Sequence, residues 1–228
     1  MALTIKLKSR NEVAAGTTAF HFEKPPHFTF TPGQAGDFSL TNPPQTDKEG
    51  DKRSFSLASA PYESDLIVAT RMRDTAFKRS LETIPLGTEF VLDAPWGELT
   101  LHEDTSIPAV FLTGGIGITP VRSIVLQATR DKLNQKLVLF YANRRPEDAA
   151  FLDELKQAEK ENSNFTLIAT MTKMAGSSRP WQGETGLIDQ AMLTRHLKDI
   201  TVPIYYISGP PAMVDAMQKL LSSDGVKS

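Results

Sequence analysis

A glycine-rich turn between an apolar run and a helical pattern offers the clearest chemistry in this chain. The turn lies within Leu112-Thr-Gly-Gly-Ile-Gly-Ile-Thr-Pro-Val121. Its glycines allow close backbone approach, so amide groups at the start of a helix could receive a diphosphate. Thr119 is a favourable N-cap, and Pro120 suits the first helical position. The pattern predicts a dinucleotide site, although its spacing differs from GxGxxG and a turn without a ligand is an alternative.

A second group of candidate residues lies in the segment Arg53-Ser-Phe-Ser-Leu-Ala-Ser59. Because side chains alternate along a strand, Arg53 and Phe55 would share one face, with the intervening serines on the other. The guanidinium is planar, has five donors and suits a phosphate anion. From the residues alone, an ordinary half-buried strand is an equally good interpretation.

Composition and charge exclude several classes of function. The chain has 228 residues, of which 40% are hydrophobic, so it is long enough for two domains with buried cores. Its net charge of −2, with acidic and basic residues interspersed, provides no basic stripe for a nucleic acid. The sequence has no apolar run long enough to span a bilayer, and its N-terminus lacks the apolar segment of a signal peptide. We therefore expect a globular protein with a cytoplasmic location.

The lack of cysteine narrows the chemistry further. It removes disulfides, thiolate nucleophiles, cysteine zinc sites and the thiolates of an iron–sulfur cluster. The four histidines are scattered without metal-ligand spacing, so we expect no metal site. Redox chemistry in this chain would need an organic cofactor.

The elements that must position these residues differ between the two halves of the chain. Up to residue 102, short β-rich runs predict an antiparallel barrel or sandwich, interrupted by a helix over Thr75–Ile84 and by an exposed, mobile loop over Asn42–Lys52. The strands are predicted at Leu3–Lys8, Thr17–Glu23, Asp37–Leu40, Ser54–Ala58, Leu66–Met72 and Glu89–Asp93. After a polar linker, apolar strands alternate with helical stretches, which predicts a doubly wound parallel sheet. We expect one domain over residues 1–102 and another over residues 106–228.

Four segments, in the same order, resemble motifs of the ferredoxin-NAD(P) reductase-like family of flavin-dependent oxidoreductases. Arg53–Ser59 is similar to the flavin motif RxYSxxS, and Pro32-Gly-Gln34 is similar to the PGQ that precedes it. Residues 112–120 resemble the nicotinamide pyrophosphate motif, and Ile207–Met213 resembles the CGPxxM segment. The resemblance covers almost the whole chain. It implies an N-terminal antiparallel Greek-key β-barrel that binds FAD, followed by a Rossmann-like parallel α/β domain that binds the nicotinamide cofactor.

The resemblance also implies which residues contact the two cofactors. Ser56 would bond flavin N5 and Ser208 would lie beside the nicotinamide, so these are the expected catalytic residues. Arg53 would pair with the flavin pyrophosphate, and Phe55 would lie against the ring. Further flavin contacts are expected from Ser59, Thr70, Arg71, Met72, Thr75 and Lys78. Nicotinamide-cofactor contacts are expected from Thr113, Gly114, Gly115, Gly117, Thr119, Asn143, Arg144, Gly209, Pro210 and Met213.

The sequence departs from the family pattern at three of these positions. Phe55 replaces a tyrosine, so it keeps the ring contact and lacks the phenol donor. Lys78 stands where many members have a small hydroxyl residue and offers a positive charge instead. Ser208 replaces a cysteine, and we expect hydride transfer to survive this change. Relatives usually continue beyond Ser223 into another strand, so we also expect an open flavin face.

The resemblance implies an FAD-dependent NAD(P)H oxidoreductase that passes hydride from nicotinamide to flavin N5. Because the chain has no cluster ligands, the electrons must reach a separate acceptor, such as a ferredoxin, a flavodoxin, a haem protein, free flavin, a quinone or oxygen. Two alternatives stay open: a flavin reductase that uses flavin as a substrate, and a redox-sensing regulatory subunit that binds FAD and NAD.

The choice between NADH and NADPH depends on the loop after the second parallel strand. This loop has arginines that could hold a 2′-phosphate and acids that could repel it or bond the free hydroxyls of NADH, namely Arg144, Arg145, Glu147 and Asp148. Overall resemblance slightly favours NADH.

Overall fold

The first of two sheets in this chain is a curled antiparallel sheet. The computed structural model describes residues 2–226. The sheet contains β1 (Leu3–Ala14), β2 (Thr17–Glu23), β3 (Ala35–Leu40), β4 (Lys52–Ser56), β5 (Asp65–Arg71) and β6 (Glu89–Trp96), in the order β4-β3-β6-β1-β2-β5. Beyond the end of β4, the amide of Ala58 donates to the carbonyl of Ile67 in β5 over 2.7 Å. The two edges of the sheet therefore approach each other, and the sheet curls into a half-barrel, which confirms the predicted antiparallel architecture.

Aromatic side chains fill the inside of this half-barrel. The rings of Phe22 and Phe90, on β2 and β6, meet edge to face with their centroids 4.9 Å apart. Helix α1 (Ala76–Thr83) adds the buried side chains of Phe77 and Leu81 to the same core. The side chain of Thr75 accepts a hydrogen bond from the third residue of the helix, so α1 begins where the sequence predicted.

The second sheet is parallel, as predicted from the alternation of apolar strands and helices. It contains β7 (Ala109–Gly114), β8 (Leu137–Asn143), β9 (Phe165–Met171), β10 (Glu184–Thr185) and β11 (Ile204–Ser208), in the order β10-β9-β8-β7-β11. All six residues of the inner strand β7 are buried. A strand covered on both faces reads as a continuous apolar run, which is why the sequence identified it.

Helices cover both faces of the parallel sheet. They are α2 (Ile118–Asp131), α3 (Leu152–Glu161), α4 (Gln190–His196) and α5 (Pro211–Ser223). Helices α2 and α3 bury Val121, Ile124, Val125, Leu152 and Leu155 against one face. Helices α4 and α5 bury Met192, Leu193, Met217 and Leu221 against the other. The arrangement places the start of α2 directly after β7, at the carboxyl edge of the sheet.

The start of α2 differs from the prediction. A 3-10 turn over Gly115–Gly117 precedes the helix, and Gly117 rather than Thr119 is the N-cap. The hydroxyl of Thr119 instead donates to the carbonyl of Ile116 over 3.1 Å. Pro120 is the third residue of α2 and not the first. The N-cap prediction for Thr119 was wrong because the glycines themselves turn the backbone into the helix.

The segment between the two sheets packs against the second sheet. The ring nitrogens of His102 lie 2.8 Å from the hydroxyl of Tyr206 and 2.7 Å from the amide nitrogen of Gln135. The domain limits at residues 102 and 106 stay a prediction. Within residues 2–226, no helix has both the length and the apolar character needed to cross a membrane. The same part of the chain shows no group of three side chains that could hold a metal ion.

Candidate cofactor cleft

A cavity of about 660 Å³ lies between the two sheets, where β4 and β5 end beside the glycine-rich turn. Its volume is in the range of pockets that bind small molecules. Most of the predicted site residues line it, namely Arg53, Phe55, Ser56, Thr70, Arg71, Thr75, Lys78, Gly114, Gly115, Gly117, Thr119, Ser208, Gly209 and Pro210. The structure thus brings three of the four predicted motif segments together in one cleft, whereas residues 32–34 do not line it.

The glycine-rich turn forms one wall of this cleft. It joins the carboxyl end of β7 to the N-terminus of α2, where unpaired amides and the helix dipole favour an anion. Gly115 has a φ of +54° and open space beside its Cα. At Gly117, a Cβ would clash with the carbonyl oxygen of Ser208 and lie 2.7 Å from the amide nitrogen of Gly209. Glycine at 117 is therefore needed for the turn to contact the segment between β11 and α5.

Substitution of these two glycines should give different losses of stability. We expect Gly117→Ala to cost about 2–3 kcal/mol of unfolding free energy, because both clashing groups are backbone atoms that must move. Gly115→Ala should cost about 1 kcal/mol, since it meets only the penalty for positive φ. Urea unfolding of both variants measures the difference. A loss for Gly117→Ala no larger than that for Gly115→Ala would contradict this account of the turn.

Strand β4 forms the opposite wall. The guanidinium carbon of Arg53 lies 5.1 Å from the centre of the Phe77 ring, and the Phe55 ring lies 6.2 Å from the same ring. On the other face of the strand, the hydroxyl of Ser54 donates to a carboxylate of β3 over 2.6 Å. Arg53 and Phe55 therefore share one face of the strand, as predicted. Ser56 is half-buried at the strand end and lines the cleft.

The cleft carries an excess of positive charge. Four basic residues line it, Arg53, Arg71, Arg73 and Lys78, together with one acid, Glu49. The ammonium of Lys78 donates to the carbonyl of Arg71 over 2.7 Å. Burial lowers the pKa of Lys78, and the neighbouring charges of Arg73 and Arg53 lower it further. An anion bound here would relieve that repulsion.

A smaller basic pocket of about 200 Å³ adjoins the cleft at the ends of β8 and β9. Its lining includes Arg71, Arg144 and Lys173, which are exposed, and Arg145. The guanidinium of Arg145 donates to both carboxylate oxygens of Asp148, over 2.9 and 3.0 Å. We refer to this lining below as the basic pocket.

The neighbouring acid of the same loop also accepts hydrogen bonds from groups of this chain. Glu147 accepts from the Ser177 hydroxyl over 2.8 Å and from the Ser178 amide over 3.0 Å. Hydrogen bonds from its own backbone amide, from Ser178 and from Ser177 lower the pKa of Glu147 to about 2. Both acids are therefore held by groups of this chain, and the charge of Asp148 is paired with that of Arg145.

Comparison with known proteins shows which family this chain is similar to. Residues 111–219 match the family described as Oxidoreductase NAD-binding domain. The chain is 30% identical over 208 residues, 89% of its length, to "Propane 2-monooxygenase, reductase component" of Mycolicibacterium smegmatis. These matches support a ferredoxin-NAD(P) reductase-like family for this chain. The chain spans 58% of the length of that relative.

Solved structures share the fold of this chain. A cytochrome P450 reductase from Amycolatopsis superposes with a TM-score of 0.83 at 19% identity, over 100% of this chain and 67% of that one. A ferredoxin NADP+ reductase from Neisseria gonorrhoeae, with bound FAD and NADP, gives a TM-score of 0.80 at 20% identity, over 98% and 92%. The expected fold, an antiparallel β-barrel followed by a parallel α/β sheet, is thus confirmed, with the barrel present as a half-barrel.

Several residues expected from the family motifs do not line the cleft. Ser59 is fully buried; its hydroxyl accepts from the amide of Ile67 over 3.0 Å, and its carbonyl accepts from the hydroxyl of Ser123 over 2.7 Å. Met72 packs against the core of the first sheet. The hydroxyl of Thr113 is 3.4 Å from a carbonyl of β8. These side chains support the walls of the cleft from behind.

Three more expected residues lie beside the cleft rather than in it. The sulfur of Met213 packs where a Cβ of Gly114 would project, so it lies directly behind the family's glycine motif. Asn143 is buried, and its side-chain nitrogen has no hydrogen-bond partner within residues 2–226. Arg144 lines the basic pocket. Their contacts with a cofactor stay predictions.

The structure adds a connection between the two halves of the chain that the sequence did not predict. Arg122, on α2, is 4% exposed and donates to the carbonyl of Ala58 over 2.7 Å and to the carboxylate of Glu63 over 2.9 Å. It also donates to Glu154 of α3 over 2.8 Å and lies over the ring of Phe151. Burial would lower the pKa of Arg122, but its carboxylate partners raise it overall. Helix α2, which begins at the glycine turn, is thereby bound to the end of the flavin motif.

Two charged residues of the cleft were also missed, Glu49 and Arg73. Arg73 follows Arg71 in the segment Arg71-Met-Arg73, and that repeated positive charge was a usable signal. Glu49 gave none, because its position depends on how the loop between β3 and β4 folds back over β4.

Proposed function

We propose that this chain is an NAD(P)H-dependent flavoprotein reductase that passes electrons from a nicotinamide cofactor through FAD to a separate acceptor. One observation supports this most strongly. The ends of the flavin motif and of the glycine-rich turn, represented by Ser56 and Gly115, line the same cavity although they are 59 positions apart in the sequence. A chain that bound only one cofactor would not need both motifs in one cleft.

The residues present fit both cofactors. A bound flavin would supply two-electron acceptance from the nicotinamide and release of electrons one at a time. Arg53 and Lys78, with the N-terminus of α1, supply positive charge for its phosphates. The glycine turn and the N-terminus of α2 supply amides for the nicotinamide pyrophosphate. We propose Ser56 and Ser208 as the side chains that position the reacting rings.

The protein contributes position and electrostatics to this reaction rather than a base. Arg122 and Ser123 hold α2 against Ala58 and Ser59, so the two cofactor sites keep a fixed relation to each other. Phe55 is braced by Phe77 and offers an apolar ring to the cleft. These contacts restrict the freedom of bound rings and so favour their close approach.

The acceptor is proposed at the level of class only. The relative named above is a reductase component of a monooxygenase, and this chain matches 58% of its length. We propose a small redox protein or a small molecule as the acceptor and keep the cytoplasm as the predicted location. The alternatives are a flavin reductase for which flavin is a substrate and a redox-sensing subunit.

The test is the absorbance spectrum of the purified chain before and after NADH or NADPH is added without oxygen. A reductase should show a flavin absorbance band that bleaches after the nicotinamide cofactor is added, as fast as an enzyme turns over. Bleaching only of added free flavin, with no band in the pure protein, would favour the flavin reductase. A bound flavin that stays oxidised with both cofactors would overturn the proposal and favour the regulatory subunit.

A further inference from the structure

The β3–β4 loop (residues 41–51) lies over the phosphate-binding end of the proposed flavin site. Two of its acids contact this end directly. One carboxylate oxygen of Asp47 accepts from the amide of Ala76, the first residue of α1, over 2.8 Å. A carboxylate oxygen of Glu49 accepts from the guanidinium of Arg53 over 2.9 Å, and Asp47 lies 3.8 Å from the same group. The loop thus places two negative charges on Arg53 and on a helix N-terminus.

Further contacts hold the loop in this position. Arg53 also donates to the carbonyls of Glu49 and Gly50, over 3.0 and 3.1 Å. Gln45 accepts from Arg79 of α1 over 2.8 Å. Asp47 caps the loop by accepting from the amide of Glu49 over 2.9 Å. The guanidinium of Arg53 is therefore surrounded by acceptors from its own chain.

The donors that the loop uses are the ones a flavin phosphate requires. A phosphate bound by Arg53 and the N-terminus of α1 would occupy the space of the two carboxylates and would carry the same sign of charge. The phosphate and the two carboxylates cannot use these donors at the same time. The ammonium of Lys78 donates to the carbonyl of Arg71 and pairs with no carboxylate within residues 2–226, so one cation of this site is left for a phosphate. A phosphate can therefore still compete with the loop.

We propose that Asp47 and Glu49 compete with the flavin phosphate for Arg53 and the α1 N-terminus, which makes phosphorylated flavins exchangeable in this chain. This inference rests on the proposed function. It assigns a role in flavin selection to two acids that stand outside the flavin motif. Riboflavin, which has no phosphate, does not have to displace them.

Titration of flavin-free chain with FAD, FMN and riboflavin, followed by fluorescence, tests the competition. The variant Asp47→Asn/Glu49→Gln should bind FAD and FMN about five- to tenfold more tightly, and riboflavin with unchanged affinity. The control Asp153→Asn/Glu98→Gln removes the same charge from two exposed acids outside the loop. It should leave all three affinities unchanged. Arg53→Ala should weaken FMN and FAD binding and spare riboflavin.

Three results would overturn the proposal. One is an unchanged Kd for FMN and FAD in the Asp47→Asn/Glu49→Gln variant when both bind the wild-type chain. Another is equal tightening for all three flavins, which would make the loop a steric cover. The third is equal tightening in the control variant, which would make the effect one of net charge. In each case flavin still binds and the proposed function stands; failure of the wild-type chain to bind any flavin would reject the proposed function itself.

Discussion

Replacing Arg122 with methionine is expected to destabilise the chain by about 3 kcal/mol and to separate the unfolding of the two sheets. Arg122 is 4% exposed and joins Ala58 and Glu63 of the first half to Glu154 of the second. Methionine fills the space without donors, so the Ala58 carbonyl and the Glu63 carboxylate lose a buried partner. The two halves would then lose the hydrogen bonds and the ion pair that Arg122 makes between them.

The two tryptophans allow each sheet to be followed separately. Trp96 ends β6 in the first sheet, and Trp181 packs beside the second, where its indole donates to the carbonyl of Glu184 over 2.8 Å. Single-tryptophan versions, Trp96→Phe and Trp181→Phe, should show coincident urea transitions in the parent chain. In the Arg122→Met background the transitions should separate.

Glu154→Gln is the matched control for this prediction. Its carboxylate is about half exposed, with a side-chain exposure of 48%, so loss of its charge should cost less than about 1 kcal/mol. The transitions of the two tryptophans should stay together in this variant. Coincident transitions and a loss under about 1 kcal/mol for Arg122→Met would show that Arg122 does not hold the halves together.

The spacing of hydrophobic residues along the sequence was sufficient to predict the two sheets. The continuous apolar run of β7 and the alternation in β2 were visible in the sequence, because burial on two faces or on one face sets those patterns. Strand limits were less accurate. β1 was expected to end at Lys8 and continues to Ala14, where charged side chains face solvent and pairing with β2 maintains the strand.

The site was predictable where a motif fixes the backbone and unpredictable where distant segments meet. The glycine turn and the Arg53 strand lie in the cleft as expected. Ser59 belongs to the same motif, yet its hydroxyl bonds an amide of β5. Spacing within a motif does not reveal such a contact. The position of Glu49 depends on a loop whose acids are ordinary surface charges in the sequence, so no local signal could place it.

We expect the chain to prefer NADPH over NADH by about tenfold or more in kcat/KM, because the basic pocket offers unpaired cations for a 2′-phosphate. The sequence resemblance slightly favoured NADH. In the structure, however, Glu147 is bonded to two serines and Asp148 is bonded to Arg145. Neither acid is available for ribose hydroxyls, whereas Arg144 and Lys173 are exposed in the pocket.

Removal of two of the exposed cations in the basic pocket should reverse that preference. Arg144→Ala/Lys173→Ala should lower kcat/KM for NADPH about 100-fold, since each charge-assisted bond contributes about 1.5–3 kcal/mol, and should change the value for NADH less than about threefold. The control Lys136→Ala/Lys219→Ala removes the same charge from exposed positions outside the pocket. It should leave both values unchanged.

Stopped-flow bleaching of the flavin by each cofactor separates binding from chemistry in these variants. Because the pocket holds only the adenosine end, the loss for NADPH should be in the apparent Kd, and the limiting rate of bleaching should stay that of the parent chain. Equal losses for NADPH and NADH would show that the two side chains support the fold of the β8 and β9 ends. A parent chain that prefers NADH would show that the basic pocket does not face the nucleotide. If it did, the exposed cations of the pocket would attract the 2′-phosphate, which carries nearly two negative charges.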